Sequence, residues 1–214
     1  MFRLIRKLIT LAIVLAIVLG GANYLALHVA QDDVAHRAQT ATRAQSASAS
    51  IDGFPFLYDA LVATSLPGVH IRLNYMPVGP LRLEKVDVSM NKVDLSRHDL
   101  FDHHQVRITS VANALVTATV TAQELSAAIG HQVILAGNGQ VQVKMGLVTL
   151  AGQVAVVAGQ DLVVRSGGVD LLSVNLADNP LVPPCTMSLE VLTGYATASC
   201  YIAPVPASVI QALS

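Results

Sequence analysis

The sequence predicts an α+β chain that is mostly β: a long, curved antiparallel sheet with two or three short helices on its dry face, after an N-terminal transmembrane helix. Three observations carry this expectation. Apolar and polar residues alternate with period two through most of the chain beyond Val69, the pattern of antiparallel strands with one dry and one wet face. Helical spacing is confined to short stretches. An uncharged run from Leu8 to Leu27 follows Arg3, Arg6 and Lys7.

That run, "LITLAIVLAIVLGGANYLAL", has about the 20 residues which, at about 1.5 Å each, cross the ~30 Å core of a bilayer. Cations before it, and Asp32 and Asp33 after it, place the N-terminus in the cytoplasm and the remainder outside. A cleaved signal peptide is the competing reading, because Gly20 and Ala22 are small residues at a workable spacing; cleavage after Ala22 would give a secreted protein. The apolar run continues past that point, which favours an uncleaved signal anchor. The two cysteines are Cys185 and Cys200, so none follows the run to take a lipoprotein anchor. Either reading exports the domain. Residues 31–49 are mainly Ala, Gln, Ser, Thr and Arg; they are good helix formers without a clear apolar stripe, which reads as a polar, solvated stalk. The folded domain is expected to begin near Ser50.

It opens with "SIDGFPFLYDAL", Ser50 to Leu61, which concentrates Phe54, Phe56 and Tyr58 in a chain without tryptophan. Pro55 suits the first turn of a helix, where its missing N–H costs nothing. From there Phe54, Leu57 and Leu61, with Ala60 and Thr64, follow helical spacing, while Asp52 and Asp59 fall on other faces. Strands follow. Val69, Ile71 and Leu73 alternate with polar residues, as do Val86, Val88 and Met90, Val116, Ala118 and Val120, and Val141, Val143 and Met145. The phase changes between Met90 and Val93, which a bulge near Asn91-Lys92 would explain. Turn signals stand at residues 137–139, Gly152, Gly159 and 166–168. "TAQELSAAIG" reads as a helix capped by Thr121 and ended by Gly130, and the tail from Pro206 groups Val209, Ile210 and Leu213. Three short helices are too few to cover about eight strands, so the dry face implies a closed barrel or a groove holding an apolar ligand.

Cys185 shares the alternation of Met187, Leu189 and Val191, and Cys200 that of Ala196, Ala198 and Ile202. Both sulfurs are thus expected on the apolar faces of two strands meeting at Thr193-Gly194, where an exported chain would join them in a disulfide.

Charge and motifs exclude more than they propose. Without Arg3, Arg6 and Lys7 the exported part holds 10 basic residues against 14 acidic ones, which argues against nucleic acid as a partner and against purely electrostatic membrane binding. "SRHDLFDHH", Ser96 to His104, gathers His98, Asp99, Asp102, His103 and His104, residue types that zinc accepts. Its spacing matches no closed site, and adjacent His103 and His104 would point opposite ways in an extended chain. A polar loop explains it, and a metal-dependent enzyme is the weakest alternative. There is no G-x-S-x-G elbow, phosphate loop or dinucleotide fingerprint. Carboxylates such as Asp87, Asp94, Asp161 and Asp170 stand singly on wet strand faces. No enzyme, cofactor or metal is expected.

The order of these pieces resembles a known family. A membrane segment is followed by "SIDGFPFLYDALVATSLPGVHIRL", then "LEKVDVSMNKVDL", then "VTAQELSAAIG". This looks like the LmeA-like phospholipid-binding family of actinobacterial cell envelopes, with "GFPF" the most specific block. The resemblance implies a sheet wrapped around a helix with an apolar channel, similar to the tubular lipid-binding proteins. The resemblance covers roughly Ser50 to Ser214, and with the segments before it the chain divides into a stub and anchor (1–30), a stalk (31–49) and a phospholipid-binding domain (50–214). It also implies a periplasmic position, tethering to the plasma membrane, phospholipid as the partner, and a role in lipomannan or other envelope-lipid biogenesis, with envelope biogenesis proteins as further partners. In that reading Phe54, Leu57 and Leu61 plug one end of the dry face, Phe56 or Tyr58 touches an acyl chain, and Val86, Val88 and Met90 line the channel. Two alternatives stay open: these residues are ordinary core anchors, or the domain is an envelope scaffold without lipid.

Overall fold

The computed structural model describes residues 2–96, 98–99, 107–146, 148–157, 161–175, 185–207 and 210, without the side chains of 2–12, 14, 161–162 and 174–175. Helix α1 runs over Phe2–Thr42, and strand β1 over Ser46–Asp52. Next come a three-residue helix, α2 (Phe56–Tyr58), and a π-helical turn over Asp59–Ala63. Strands β2 (Ser65–Val78), β3 (Leu81–Leu95) and β4 (Ile108–Thr121) precede helix α3 (Ala122–Ile129). The remaining strands are β5 (Gln132–Gly137), β6 (Gln140–Met145), β7 (Val148–Val157), β8 (Asp161–Ser166), β9 (Val169–Asn175), β10 (Met187–Leu192) and β11 (Tyr195–Ile202). They form two antiparallel sheets, β1-β2-β3-β4-β11-β10 and β5-β6-β7-β8-β9, as the period-two alternation requires. A bridge between Ala136 and Thr193 links β5 to the β10–β11 turn, so the second sheet continues from the edge of the first.

Register aligns the apolar residues of the first sheet into rows. One row runs Ala47, Leu73, Val86, Ala118, Ala198, Leu189; the next runs Ala49, Ile71, Val88, Val116, Cys200, Met187. Helix α1 lies against β1 and β2 and covers that end of the face. Its contacts are Ala26, Leu27, Ala30, Val34 and Ala38, an i, i+4 stripe packed on the core, with Thr42 and Ala44 buried behind it. Residues 31–49, expected as a polar stalk, are therefore helix through Thr42 and sheet from Ser46. Three of its members, Ala26, Ala30 and Ala38, are small residues, which carry little hydropathy but let helix and sheet approach closely. Among the described residues no helix is long and apolar enough to cross a membrane. Part of the predicted span, residues 8–12 and 14, lies outside the described side chains.

The change of phase between Met90 and Val93 is present, but no residue is added to the ladder. Asn91 faces Gly68 and Val93 faces Leu66 in unbroken register, and Lys92 turns the strand over by adopting φ 51°. A second reversal lies in the same hairpin at Tyr75, φ 54°. Beyond it, Met76, Val78, Leu81 and Leu83 are buried, and α3 packs on β3 there. Helix α3 matches its expected caps: Thr121 Oγ1 accepts from the Glu124 N–H at 3.3 Å, and Gly130 closes it at φ 76°. Leu125 from its inner face is fully buried.

Gly152, expected in a turn, stands inside β7. A Cβ there would run into the Arg165 carbonyl of β8, so glycine is needed for close strand approach. Gly159 lies outside the described residues. The turns at 137–139 and 166–168 join β5 to β6 and β8 to β9 as expected. Cys185 and Cys200 are bonded with Cα atoms 6.0 Å apart. Met187, rather than Cys185, is the strand partner of Cys200, so the disulfide staples the chain just ahead of β10 onto β11. Of the tail, Ile210 is buried and its N–H donates to the Pro206 carbonyl at 3.3 Å; Val209 and Leu213 lie outside the described residues.

Candidate functional site

The apolar rows of the first sheet are covered unevenly. At the β1–β2 end, under α1, Ile51, Val69, Ile71 and Leu73 are buried. Further along the same rows Val88, Val116, Ala118, Ala198, Leu189 and Met187 are only partly buried. The three inter-strand steps from β3 to β10, each about 4.8 Å, give this half-open floor a width of roughly 14 Å. It is built from aliphatic side chains and carries no charge, which suits an acyl chain and offers no group for acid–base or nucleophilic chemistry.

The predicted contact residues divide between this floor, the core and the surface. Val88 belongs to the floor, whereas Val86 and Met90 are buried in the core beside it. In the aromatic block burial is distributed differently from what helical spacing implied. Phe56 is 8% exposed and packs inward with Ala60, while Phe54 is 85% exposed. Leu57 is partly buried against the core, and Tyr58 and Leu61 are exposed. The cause is local. Pro55 is the N-cap in extended conformation (φ −78°, ψ 129°), not the first helical residue, so Phe54 precedes the helix and helical spacing does not reach it. The inward pair is then Phe56 and Ala60, four residues apart.

Asn23 was not singled out by sequence reasoning, although it is the one amide side chain in the 8–27 run. It is 6% exposed, and its Oδ1 accepts the Leu57 N–H at 2.9 Å. The opening N–H groups of a helix lack internal partners, so α1 supplies a cap for α2 from another element. The signal was available: an amide inside an apolar run calls for a partner.

A second arrangement also escaped notice. On the wet face, His70 lies between Ser89 (Nδ1 to Oγ, 3.0 Å) and Asp52 (Nε2 to Oδ2, 2.9 Å). The three residue types are those of a catalytic triad, but they stand side by side on the neighbouring strands β1, β2 and β3. Ser89 is in mid-strand opposite His70 and Leu115, in a ladder that already engages its backbone, leaving no pair of amides to hold an oxyanion. It is a cross-strand polar row. Nearby, burial works against the Asp87 carboxylate, but hydrogen bonds and charge from Arg72 and Lys85 outweigh it and hold its pKa low. Hydrogen bonds from Ser110 and Ser65 hold the Asp94 carboxyl below its ordinary range.

Of the His-rich loop, His98 and Asp99 are described; Asp102, His103 and His104 lie outside the described residues. Among the described residues no three His, Cys, Asp or Glu side chains are grouped as metal ligands. A cleft of about 340 Å³ lies beside this loop, lined by Ser96, Asp99, Arg107, Thr109 and Ile210, with Arg107 3.9 Å from Asp99. It is separate from the apolar floor.

A family model described as LmeA-like phospholipid-binding matches residues 21–196. No curated protein and no solved structure matches significantly. The matched segment begins within α1 and ends at the start of β11, so it includes the half of the helix that packs on β1 and β2.

Proposed function

The chain belongs to the LmeA-like phospholipid-binding family, and from that premise we propose that it is a membrane-tethered, extracytoplasmic protein that holds or transfers phospholipid for envelope-lipid or lipoglycan biogenesis. The observation that carries the site is the half-open aliphatic floor of Val88, Val116, Ala118, Ala198, Leu189 and Met187 beside α1. An acyl chain laid on it gains about 0.8 kcal/mol per methylene removed from water, so about ten methylenes supply on the order of 8 kcal/mol before the cost of ordering the chain. The headgroup then stays at the rim, in water. The tether is supported by the uncharged run 8–27 behind three cations and by Ile13, Leu15, Ile17, Val18, Leu19 and Leu25, all exposed on α1.

The test is photocrosslinking of the full chain with a phospholipid that carries a diazirine near its acyl terminus, followed by peptide mapping. Adducts on β4, β10 and β11 support the floor as the lipid site. Adducts confined to residues 8–27 would show bilayer contact alone and favour an envelope scaffold.

A further inference from the structure

We propose that the exposed turn Phe54–Ala63 is a membrane-seating rim, inserted at the bilayer interface alongside α1; this rests on the tethered reading above. The turn is unusual for a soluble surface. From Phe54 to Ala63 the exposed side chains are Phe54, Pro55, Tyr58, Leu61, Val62 and Ala63, with no charge among them. The one acid of the segment, Asp59, turns its carboxylate back over Gly53.

The position of the turn identifies its partner. Strand β1 and the second half of α1 run antiparallel, joined at residues 43–45. Seven residues of β1 at about 3.3 Å rise reach back about 23 Å of the roughly 28 Å that the helix covers from Thr42 to Asn23 at about 1.5 Å. The turn beyond Asp52 covers the remaining distance, and the 2.9 Å bond from the Leu57 N–H to Asn23 Oδ1 fixes it at the level of Asn23. Asn23 lies four residues before the end of the 8–27 run, so this anchor point is about 6 Å inside the apolar boundary. A turn held there meets the headgroup–acyl boundary, where exposed aromatic rings are favoured. Next to Asn23 on α1, Tyr24 and Leu25 are exposed as well. On the strands beside the rim Lys92 is exposed between the Gly68–Asn91 and Leu66–Val93 pairs, with the exposed Asp52 carboxylate against Gly68.

The chain has no tryptophan, so single substitutions report without background. The full chain is reconstituted into phosphatidylcholine–phosphatidylglycerol vesicles containing increasing fractions of lipid brominated near the glycerol or at mid-chain. Three variants are compared: Leu19→Trp in the proposed span, Phe54→Trp in the rim, and Tyr195→Trp at the opposite end of the first sheet. The expected result is strong quenching of Leu19→Trp by mid-chain bromine and of Phe54→Trp by shallow bromine, rising across the whole range of fractions, with Tyr195→Trp insensitive. Quenching of Leu19→Trp with none of Phe54→Trp would overturn the rim and leave the tether standing. Phe54→Trp shielded from aqueous iodide but not quenched by bromolipid would overturn it in favour of a protein cover. Quenching that saturates at a low bromolipid fraction would overturn it in favour of one bound lipid. No quenching at Leu19→Trp would defeat the tether, and the rim with it.

Discussion

Replacing Asn23 by leucine tests whether the helix–turn junction is held by one hydrogen bond. The substitution keeps the heavy-atom count and branching, though its methyl groups are bulkier, and removes the Oδ1 that accepts the Leu57 N–H at 2.9 Å, at a residue only 6% exposed. A buried donor stripped of its partner costs about 1–3 kcal/mol. Taking about 2 kcal/mol, and about 2–4 °C per kcal/mol for a domain of this size, the midpoint of thermal unfolding should fall by about 4–8 °C. The full chain in detergent, followed by circular dichroism in the strand band, supplies the global measurement. Amide exchange of Leu57 supplies the local one, and should accelerate on the order of 30-fold if local opening governs it. Asn23→Ala should be at least as destabilised, because it adds a cavity to the lost acceptor. If Asn23→Leu melts like the parent and Leu57 exchange is unchanged, the junction is held by packing and the hydrogen-bond argument fails.

Further substitutions test the floor and the sheets. Val116→Arg or Leu189→Arg, placed on the floor, should abolish crosslinking to diazirine phospholipid on β4 and β10 while leaving the circular dichroism spectrum intact. Reducing the Cys185–Cys200 bond opens a 15-residue separation and should cost about 3 kcal/mol, read as a lower unfolding midpoint in dithiothreitol. Gly152→Ala should destabilise the second sheet by about 1–3 kcal/mol, because the new methyl meets the Arg165 carbonyl; a parent-like melt would contradict the close approach. Asp94 has a folded pKa below its unfolded value, so its contribution is present above about pH 4 and is lost as pH falls through the folded pKa. Asp94→Asn should accordingly lower the neutral and alkaline plateau of a stability–pH curve and flatten its acid limb, with the two proteins converging at the lowest pH.

The strands were legible because their alternation reports directly which side of a sheet each residue faces, and Thr121 and Gly130 marked α3 for the same kind of local reason. The packing of α1 was not legible. Ala26, Ala30 and Ala38 score weakly on any apolar scale, yet their spacing with Val34 is what docks the helix on β1. Hydropathy measures what a side chain gains from leaving water; it does not measure how closely two backbones can approach. The reversal at Met90–Val93 was visible as a pattern, but its mechanism was not. A left-handed Lys92 and an inserted residue leave the same trace in the sequence.

The aromatic block shows the limit most sharply. Phe54 and Phe56 are chemically identical and two residues apart, and composition suits both equally to core, groove or bilayer. What separates them is the position of Pro55 as a cap. One residue's difference in where the helix starts turns Phe56 inward over Ala60 and leaves Phe54 outside. Three residues of α-helix followed by a π-helical turn are too short and too irregular for a spacing of 3.6 to decide faces. Long-range constraint supplies what local spacing lacks. Once Asn23 accepts from Leu57, the level of the turn along α1 is fixed. Whether Phe54 then meets lipid is decided by the depth of a helix more than 30 residues upstream, not by its immediate neighbours.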